Sequence, residues 1–143
     1  IGVDVMVGCR GETDDCFQQT FNLLQALPVS QLHVFPYSER PGTSALKIPY
    51  VVSEAVKRER CRQLLKLSEE KTHDFYAAHI GQEAEVLFEK ASRGRAMHGF
   101  TRNYVRVALS AAEARSEFDN QLLNVRLERF SPDGTALMAR LME

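Results

Sequence analysis

The hydrophobic period of this chain changes once, near residue 80, and that change restricts the fold more than any other feature. Before it, apolar residues alternate between strand-like runs and helical spacing. After it, they recur at every second position in short runs broken by turn residues. A helix-period pattern does not settle as a strand, nor the reverse. The chain is therefore read as two units of different class, an α/β unit over 1–80 and an all-β unit over 81–143.

In the first unit, Ile1 to Val7 places Val3, Val5 and Val7 on one face and Met6 on the other, as in a buried strand. The strand ends in a glycine-flanked turn, Gly8-Cys9-Arg10-Gly11-Glu12. Thr13 suits a helix N-cap, and Asp14 and Asp15 complement the positive helix end. Phe17, Phe21, Leu24 and Leu27 follow at helical spacing until Pro28, and Leu32 to Tyr37 is a second apolar strand. Strand, helix, strand in about 40 residues is the signature of a parallel βαβ unit. Residues 38–50 form a loop punctuated by Pro41-Gly42 and Pro49. Ser53 then caps a long helix running to about His79, with Cys61, Leu64, Leu65, Ser68, Thr72, Phe75 and Tyr76 as its seam and Gly81 just past its end. That seam is only partly apolar, which suits a helix on a surface or between domains.

In the second unit, three sets alternate: Ala84, Val86 and Phe88; Val105, Val107 and Leu109; Leu123, Val125 and Leu127. Ser131-Pro-Asp-Gly134 reads as a turn before a last strand through Ala139 and Leu141. Several short strands without a strong helix predict a small antiparallel β-barrel, whose closure removes exposed edges.

Charge and cysteine usage narrow the function classes. A formal net charge of -1 argues against a nucleic-acid binder driven by bulk charge, but not against a local patch. Such a patch is present: Lys90, Arg93, Arg95, Arg102 and Arg106 fall in a stretch with no acidic residue, interleaved with Phe100 and Tyr104. Basic groups hold phosphates and aromatic faces stack unpaired bases. The plain alternatives are a solvated charged face and, for Tyr104, a place in the core. Cys9, Cys16 and Cys61 have neither metal-ligand spacing nor an even count, so no zinc site or disulfide framework is indicated, and a reducing, cytosolic setting fits. His33, His73, His79 and His98 have no convergent partners and read as packing or surface residues. No apolar run approaches the roughly 18 residues of a membrane span. The start inside a strand predicts a piece of a longer protein.

Four stretches together carry a family resemblance. DVMVGCRGETDDCF resembles the GxxGET segment of radical S-adenosylmethionine methylthiotransferases, and LHVFPYSERPGTSALKIP resembles the YSxRPGT segment of the same family. VSEAVKRERCRQLLKLSEEKTHDFY is similar to that family's long connecting helix, and GFTRNYVRVAL to the core of its terminal TRAM domain. LHVFPYS is most similar to the branch acting on N6-threonylcarbamoyladenosine in tRNA. In the turn, Cys9-Arg10 stands where the family usually has Phe-Pro, which removes a fixed φ and an aromatic contact and leaves Arg10 to meet a carboxylate or phosphate.

The resemblance implies the last two strand–helix units of a partial (β/α) radical S-adenosylmethionine barrel, followed by a small OB-like TRAM barrel. It implies an enzyme whose full length carries S-adenosylmethionine and two 4Fe-4S clusters. The CxxxCxxC cluster motif is absent here, so this piece is expected to hold no catalytic residue or cofactor and to be inactive alone. Val7, Gly8, Gly11, Glu12, Tyr37 and Ser38 would help hold the cofactor's adenosyl group, at the carboxyl ends of the strands where parallel barrels bind ligands. Glu12 would either accept from the ligand or brace the turn. Arg40, Lys90, Arg93, Arg95, Phe100, Arg102, Tyr104 and Arg106 would face tRNA; for Arg40 a solvated turn arginine is the equal alternative. Two other readings remain open. Another radical S-adenosylmethionine enzyme would share the glycine turn but not need the barrel, and a non-catalytic RNA-binding module would share the barrel but not need the turn. The open strand at Ile1 predicts self-association of the isolated piece.

Overall fold

A computed structural model describes residues 1–92 and 94–142. The chain forms two compact units, Ile1–Asp74 and Phe75–Glu143. In the first, β1 (Gly2–Val7) and β2 (Gln31–Pro36) pair in parallel, with Val5 opposite Val34 and Val7 opposite Pro36. Helix α1 (Asp14–Ala26) is the crossover between them. Its N-terminus is built as the sequence suggests: the Thr13 hydroxyl accepts from the Cys16 amide at 3.2 Å. The core joins Val5, Val7, Phe17, Leu24 and Leu32 to Leu64 and Leu67 of α2 (Glu54–Ala77).

Polar side chains of α2 fasten it to β2 and α1. The Ser68 hydroxyl accepts from the Leu32 amide at 2.9 Å and donates to the Leu32 carbonyl at 3.2 Å. Lys71 Nζ donates to the carbonyls of Gln25 and Leu27, which the end of α1 leaves without helical partners. Two details of the seams differ from the sequence reading. Leu65 is half exposed and Leu67 is buried in its place; Leu27 lies beyond the last residue of α1 and is exposed. The α2 surface is dominated by charged residues, so its apolar stripe is too narrow for the period alone to fix its angle.

The second unit is a closed five-stranded barrel in the order β3-β4-β5-β7-β6. Its strands are β3 (Glu83–Phe88), β4 (Met97–Thr101), β5 (Arg106–Leu109), β6 (Leu122–Phe130) and β7 (Leu137–Leu141). Val86, Phe88, Met97, Val107, Leu109, Val125, Leu127 and Leu137 fill the interior, none more than 1% exposed. The expected antiparallel barrel requires one correction: β5 and β7 run parallel, with Val107 opposite Leu137 and Ala108 opposite Met138. The reason is topological. With five strands, a closed ring of up-and-down neighbours cannot alternate direction throughout, so one seam must be parallel. Gly99 permits a close crossing at the β3–β4 pair, where a Cβ would lie 2.3 Å from the Leu87 carbonyl oxygen.

Candidate strand-end site and nucleic-acid interface

The turn after β1 is held by an acid and a buried base. Glu12 Oε1 accepts from the Gly8 amide at 2.9 Å and from Arg60 Nη1 at 2.8 Å. Arg60, only 3% exposed, also donates to the Glu12 carbonyl and to Asp14. Burial pushes the Arg60 guanidinium down, but its hydrogen bonds to Asp14 and Glu12 outweigh that and hold it above its ordinary value. In this geometry Glu12 braces the turn. Gly8 has φ +80°, and a Cβ there would lie 2.3 Å from Lys57 Cγ. The glycine is thus required twice over, by backbone conformation and by the lysine stem packed against it. Arg10 meets a carboxylate, Glu39 at 2.6 Å, and also donates to the carbonyls of Leu46 and Ile48, so the residue that replaces proline ties the turn to the 38–50 loop.

The remaining predicted cofactor residues divide by exposure. Val7 is fully buried, and its carbonyl accepts from the Tyr37 amide at 2.8 Å. Tyr37 and Ser38 line an open cavity of about 520 Å³ with Glu39, Ser53, Glu54 and Lys57; Gly8, Gly11 and Glu12 do not line it. Lys57 Nζ donates to the Tyr37 carbonyl at 3.2 Å and to Glu54 at 3.1 Å, and lies 5.5 Å from the Tyr37 ring centroid. Sequence reasoning missed Lys57 and Arg60, since charged residues on a helix read as solvent-facing. Hydroxyls and two carboxylates around this cavity suit the hydroxyls of a ribose, so the donor set fits the adenosyl part of the implied cofactor. It does not fit an iron–sulfur cluster: among the described residues no group of three or more His, Cys, Asp or Glu could hold a metal.

The basic stretch of the barrel is distributed over both ends of β4. Lys90 and Arg95 belong to the β3–β4 loop and line a second cavity, of about 450 Å³, with Met97, Arg115 and Asp119. Arg102 and Tyr104 belong to the β4–β5 turn, and Phe100 and Arg106 to the strands that turn joins. Arg93 lies outside the described residues. Thr101 builds the turn, its hydroxyl accepting from the Val105 amide and donating to Asn103. Tyr104 has φ 65° and is 78% exposed, so it is no core residue. A tyrosine in the left-handed region is strained, and such strain concentrates at functional positions. Its ring sits 6.4 Å from that of Phe100, tilted by 59°.

Strand register extends this aromatic pair into a stripe. Leu122 pairs with Leu87, Leu87 with Phe100 and Phe100 with Arg106, so one row crosses the barrel's outer surface from β6 to β5. Leu122, Leu87 and Phe100 are all exposed. Leu87 and Leu122 were absent from the sequence-predicted site. The signal for Leu87 was present, an apolar residue between the inward Val86 and Phe88. Arg106 donates to the Thr135 hydroxyl at 2.9 Å, and Arg102 lies 3.6 Å from Glu85 while remaining almost fully exposed. Arg40 is exposed, and among the described residues its side chain meets no partner. No helix of the described residues is long and apolar enough to cross a membrane.

The chain is 40% identical over 93 residues to the threonylcarbamoyladenosine tRNA methylthiotransferase MtaB of Aquifex aeolicus, covering 65% of this chain and 23% of that protein. It is 34% identical over 114 residues to the protein of the same name from Bacillus subtilis, covering 77% of this chain and 25% of that protein. It is 40% identical over 90 residues to the tRNA-2-methylthio-N(6)-dimethylallyladenosine synthase of Bartonella bacilliformis, covering 63% and 20%. The chain thus spans about a quarter of the length of the curated relatives it matches. No family model matches it. Among solved structures, a multidomain protein with nucleic acid binding domains from Streptococcus pneumoniae TIGR4 aligns at a TM-score of 0.39 and 13% identity, over 46% of this chain and 23% of its own, a likeness too low to bear on function.

Proposed function

The chain belongs to the tRNA methylthiotransferase family, and from that membership we propose that it forms the carboxy-terminal part of a cytoplasmic radical S-adenosylmethionine enzyme. The proposed reaction of the whole protein adds a methylthio group to N6-threonylcarbamoyladenosine beside the tRNA anticodon. The observation that carries this reading is the longer match to an enzyme named for that substrate, 34% identical over 114 residues of the Bacillus subtilis protein against 90 residues for the dimethylallyladenosine synthase. S-adenosylmethionine supplies the radical and the methyl carbon when bound to the complete enzyme. The part assigned to this chain is binding and orientation. Tyr37 and Ser38 form one wall for the adenosyl group, and the Glu12–Arg60 pair keeps the Gly8–Gly11 backbone rigid behind it. The two 4Fe-4S clusters are assigned to segments outside this chain, which alone is expected to be inactive. The reaction is tested on the full-length protein with iron, sulfide, reductant and tRNA. Absence of a methylthio product on every adenosine-modified tRNA tried would remove the assignment.

On the barrel we assign tRNA contact to Phe100, Tyr104, Arg102 and Arg106, with Lys90, Arg93 and Arg95 as further phosphate contacts, and to these we add Arg40 of the 38–50 loop in the first unit. An exposed aromatic pair flanked by arginines suits an unpaired base and its phosphates. If the assignment holds, Arg102→Ala and Arg106→Ala each weaken tRNA binding and flatten the slope of log K against log salt by roughly 0.7–0.9. Phe100→Ala costs about 1–3 kcal/mol of affinity with little change in slope. Binding measured at several salt concentrations, with melting curves beside it, decides the matter. Unchanged affinity and slope in both arginine variants remove this surface from the interface.

A further inference from the structure

Tyr104 holds a left-handed conformation while its side chain is largely exposed, so core packing does not keep it there. A bulky residue stays in that region only where its surroundings fix the backbone. Backbone hydrogen bonds do part of this: the Tyr104 amide donates to the Thr101 carbonyl at 3.1 Å, and the Thr101 amide to the Val105 carbonyl at 3.0 Å. The rest comes from a row of polar side chains that ends on the last turn of α2. The hydroxyl of the buried Thr101 accepts from the Val105 amide at 3.0 Å and lies 2.6 Å from Asn103 Oδ1. Asn103 Nδ2 lies 3.0 Å from His79 Nε2, and His79 Nδ1 lies 2.7 Å from the Phe75 carbonyl. The His79 ring also stands edge-on to Phe75, with centroids 4.7 Å apart. His79, a packing or surface residue by sequence, is thus the joint between the turn and the helix end.

The two ends of this row set the direction of every hydrogen bond in it. The Phe75 carbonyl can only accept, so Nδ1 of His79 carries the hydrogen. Nε2 of an uncharged ring then accepts, so Asn103 turns its NH2 group to the ring and its oxygen to Thr101. At the other end the Val105 amide can only donate. The Thr101 oxygen accepts from it and sends its own hydrogen to Asn103. Every group from Val105 to Phe75 is satisfied, and the row closes on a carbonyl of the kind that a helix end leaves without a helical partner. The fold alone does not require an aromatic at this point. Glycine adopts the same φ without steric cost. What the arrangement adds is a fixed direction for an exposed ring.

We propose that His79 and Asn103 are positioning residues of the nucleic-acid interface, which tie the 101–104 turn to the end of α2 and so hold the Tyr104 ring beside Phe100 to receive an unpaired base. The proposal rests on the RNA-binding reading and adds to it two residues that act through Tyr104 rather than on RNA. The test uses the full-length protein and tRNA. His79→Phe keeps a ring against Phe75 and removes both nitrogens; Asn103→Ala removes the middle link. Each is expected to weaken tRNA binding roughly two- to tenfold, the worth of one hydrogen bond passed on to the turn. Each is also expected to leave the melting temperature unchanged and to speed hydrogen exchange at the Val105 amide, whose acceptor is the Thr101 hydroxyl. Tyr104→Ala supplies the reference. Because the effect runs through that ring, adding His79→Phe to Tyr104→Ala weakens binding no further, which a double-mutant cycle reads as coupling.

Three results overturn the proposal. Tyr104→Ala that weakens tRNA binding while His79→Phe and Asn103→Ala do not shows that the ring needs no such tie. His79→Phe that weakens binding equally with and without the Tyr104 ring shows that His79 does not act through it. A lower melting temperature in both variants with affinity intact makes the row a device of stability alone. Failure of the broader reading looks different: Val105 exchange quickens in both variants, yet Tyr104→Ala, Arg102→Ala and Arg106→Ala all bind tRNA as the unaltered protein does. The tie to α2 then remains, and the interface it serves is lost.

Discussion

Arg60 illustrates how one side chain decides the conformation of a turn 48 positions away. Its partner Glu12 is also largely buried, with a side-chain exposure of 14%, whereas Asp14 is at 96%. Removing one member of a buried pair leaves the other charge without compensation. Arg60→Ala is therefore expected to destabilise the first unit by about 3–5 kcal/mol, while Asp14→Ala costs less than about 1 kcal/mol because water already solvates that carboxylate. Hydrogen exchange at the Gly8 amide reads this directly, since Glu12 is its acceptor: protection is lost in the first variant and kept in the second. Neither Arg60 nor Lys57 was legible in the sequence. A charged residue inside α2 has the same local signature whether it faces water or a carboxylate brought over by the fold. Glu12 was legible as a choice between two roles, and the position of Arg60 accounts for the bracing one.

Among the elements, legibility followed how local the determining contacts are. Strand β1, the Thr13 cap and β2 could be read because alternation and capping act within a few residues. The inward rows of the barrel could be read for the same reason, Val86 and Phe88 being as clear in sequence as in structure. The 101–105 turn was not: the sequence left Tyr104 open between an exposed aromatic and the core, and it sits in a left-handed turn ahead of β5. The β3–β4 crossing depends on Gly99, whose missing Cβ makes way for backbone that cannot move aside. Gly99→Ala is expected to separate these strands and cost more than the roughly 1–3 kcal/mol of ordinary core overpacking, seen as a lower urea midpoint of the barrel. The β6–β7 turn has its own pH signature. Hydrogen bonds from the Ser131 hydroxyl, the Thr135 amide and the Thr135 hydroxyl pull Asp133 from 3.8 down to about 2. A depressed carboxylate stabilises the folded state above its unfolded value, so this contribution is complete above about pH 4 and disappears as pH falls toward 2. Asp133→Asn is expected to flatten the acid limb of barrel stability in that window, as followed by circular dichroism.

For the molecule as a whole, the period changes near residue 80 while the two compact units divide at 74/75, within α2, and the direction of the closing seam was not legible. Pairing of β5 with β7 joins residues near 107 to residues near 137, and nothing local in either strand states whether they run parallel. Without β7 the remaining order is β6-β3-β4-β5, an open sheet with two unpaired edges. A chain ending at residue 135 is thus expected to associate through those edges, and light scattering that finds it monomeric over a wide concentration range would contradict this. The same seam sets a schedule for biosynthesis. Translation delivers β3, β4, β5 and β6 in turn, and each can pair as it leaves the ribosome, but the ring cannot shut until the final strand has emerged. For that interval the nascent barrel displays its interior to solvent, so a chaperone that acts late in translation, rather than at the first strands, would have the most to protect.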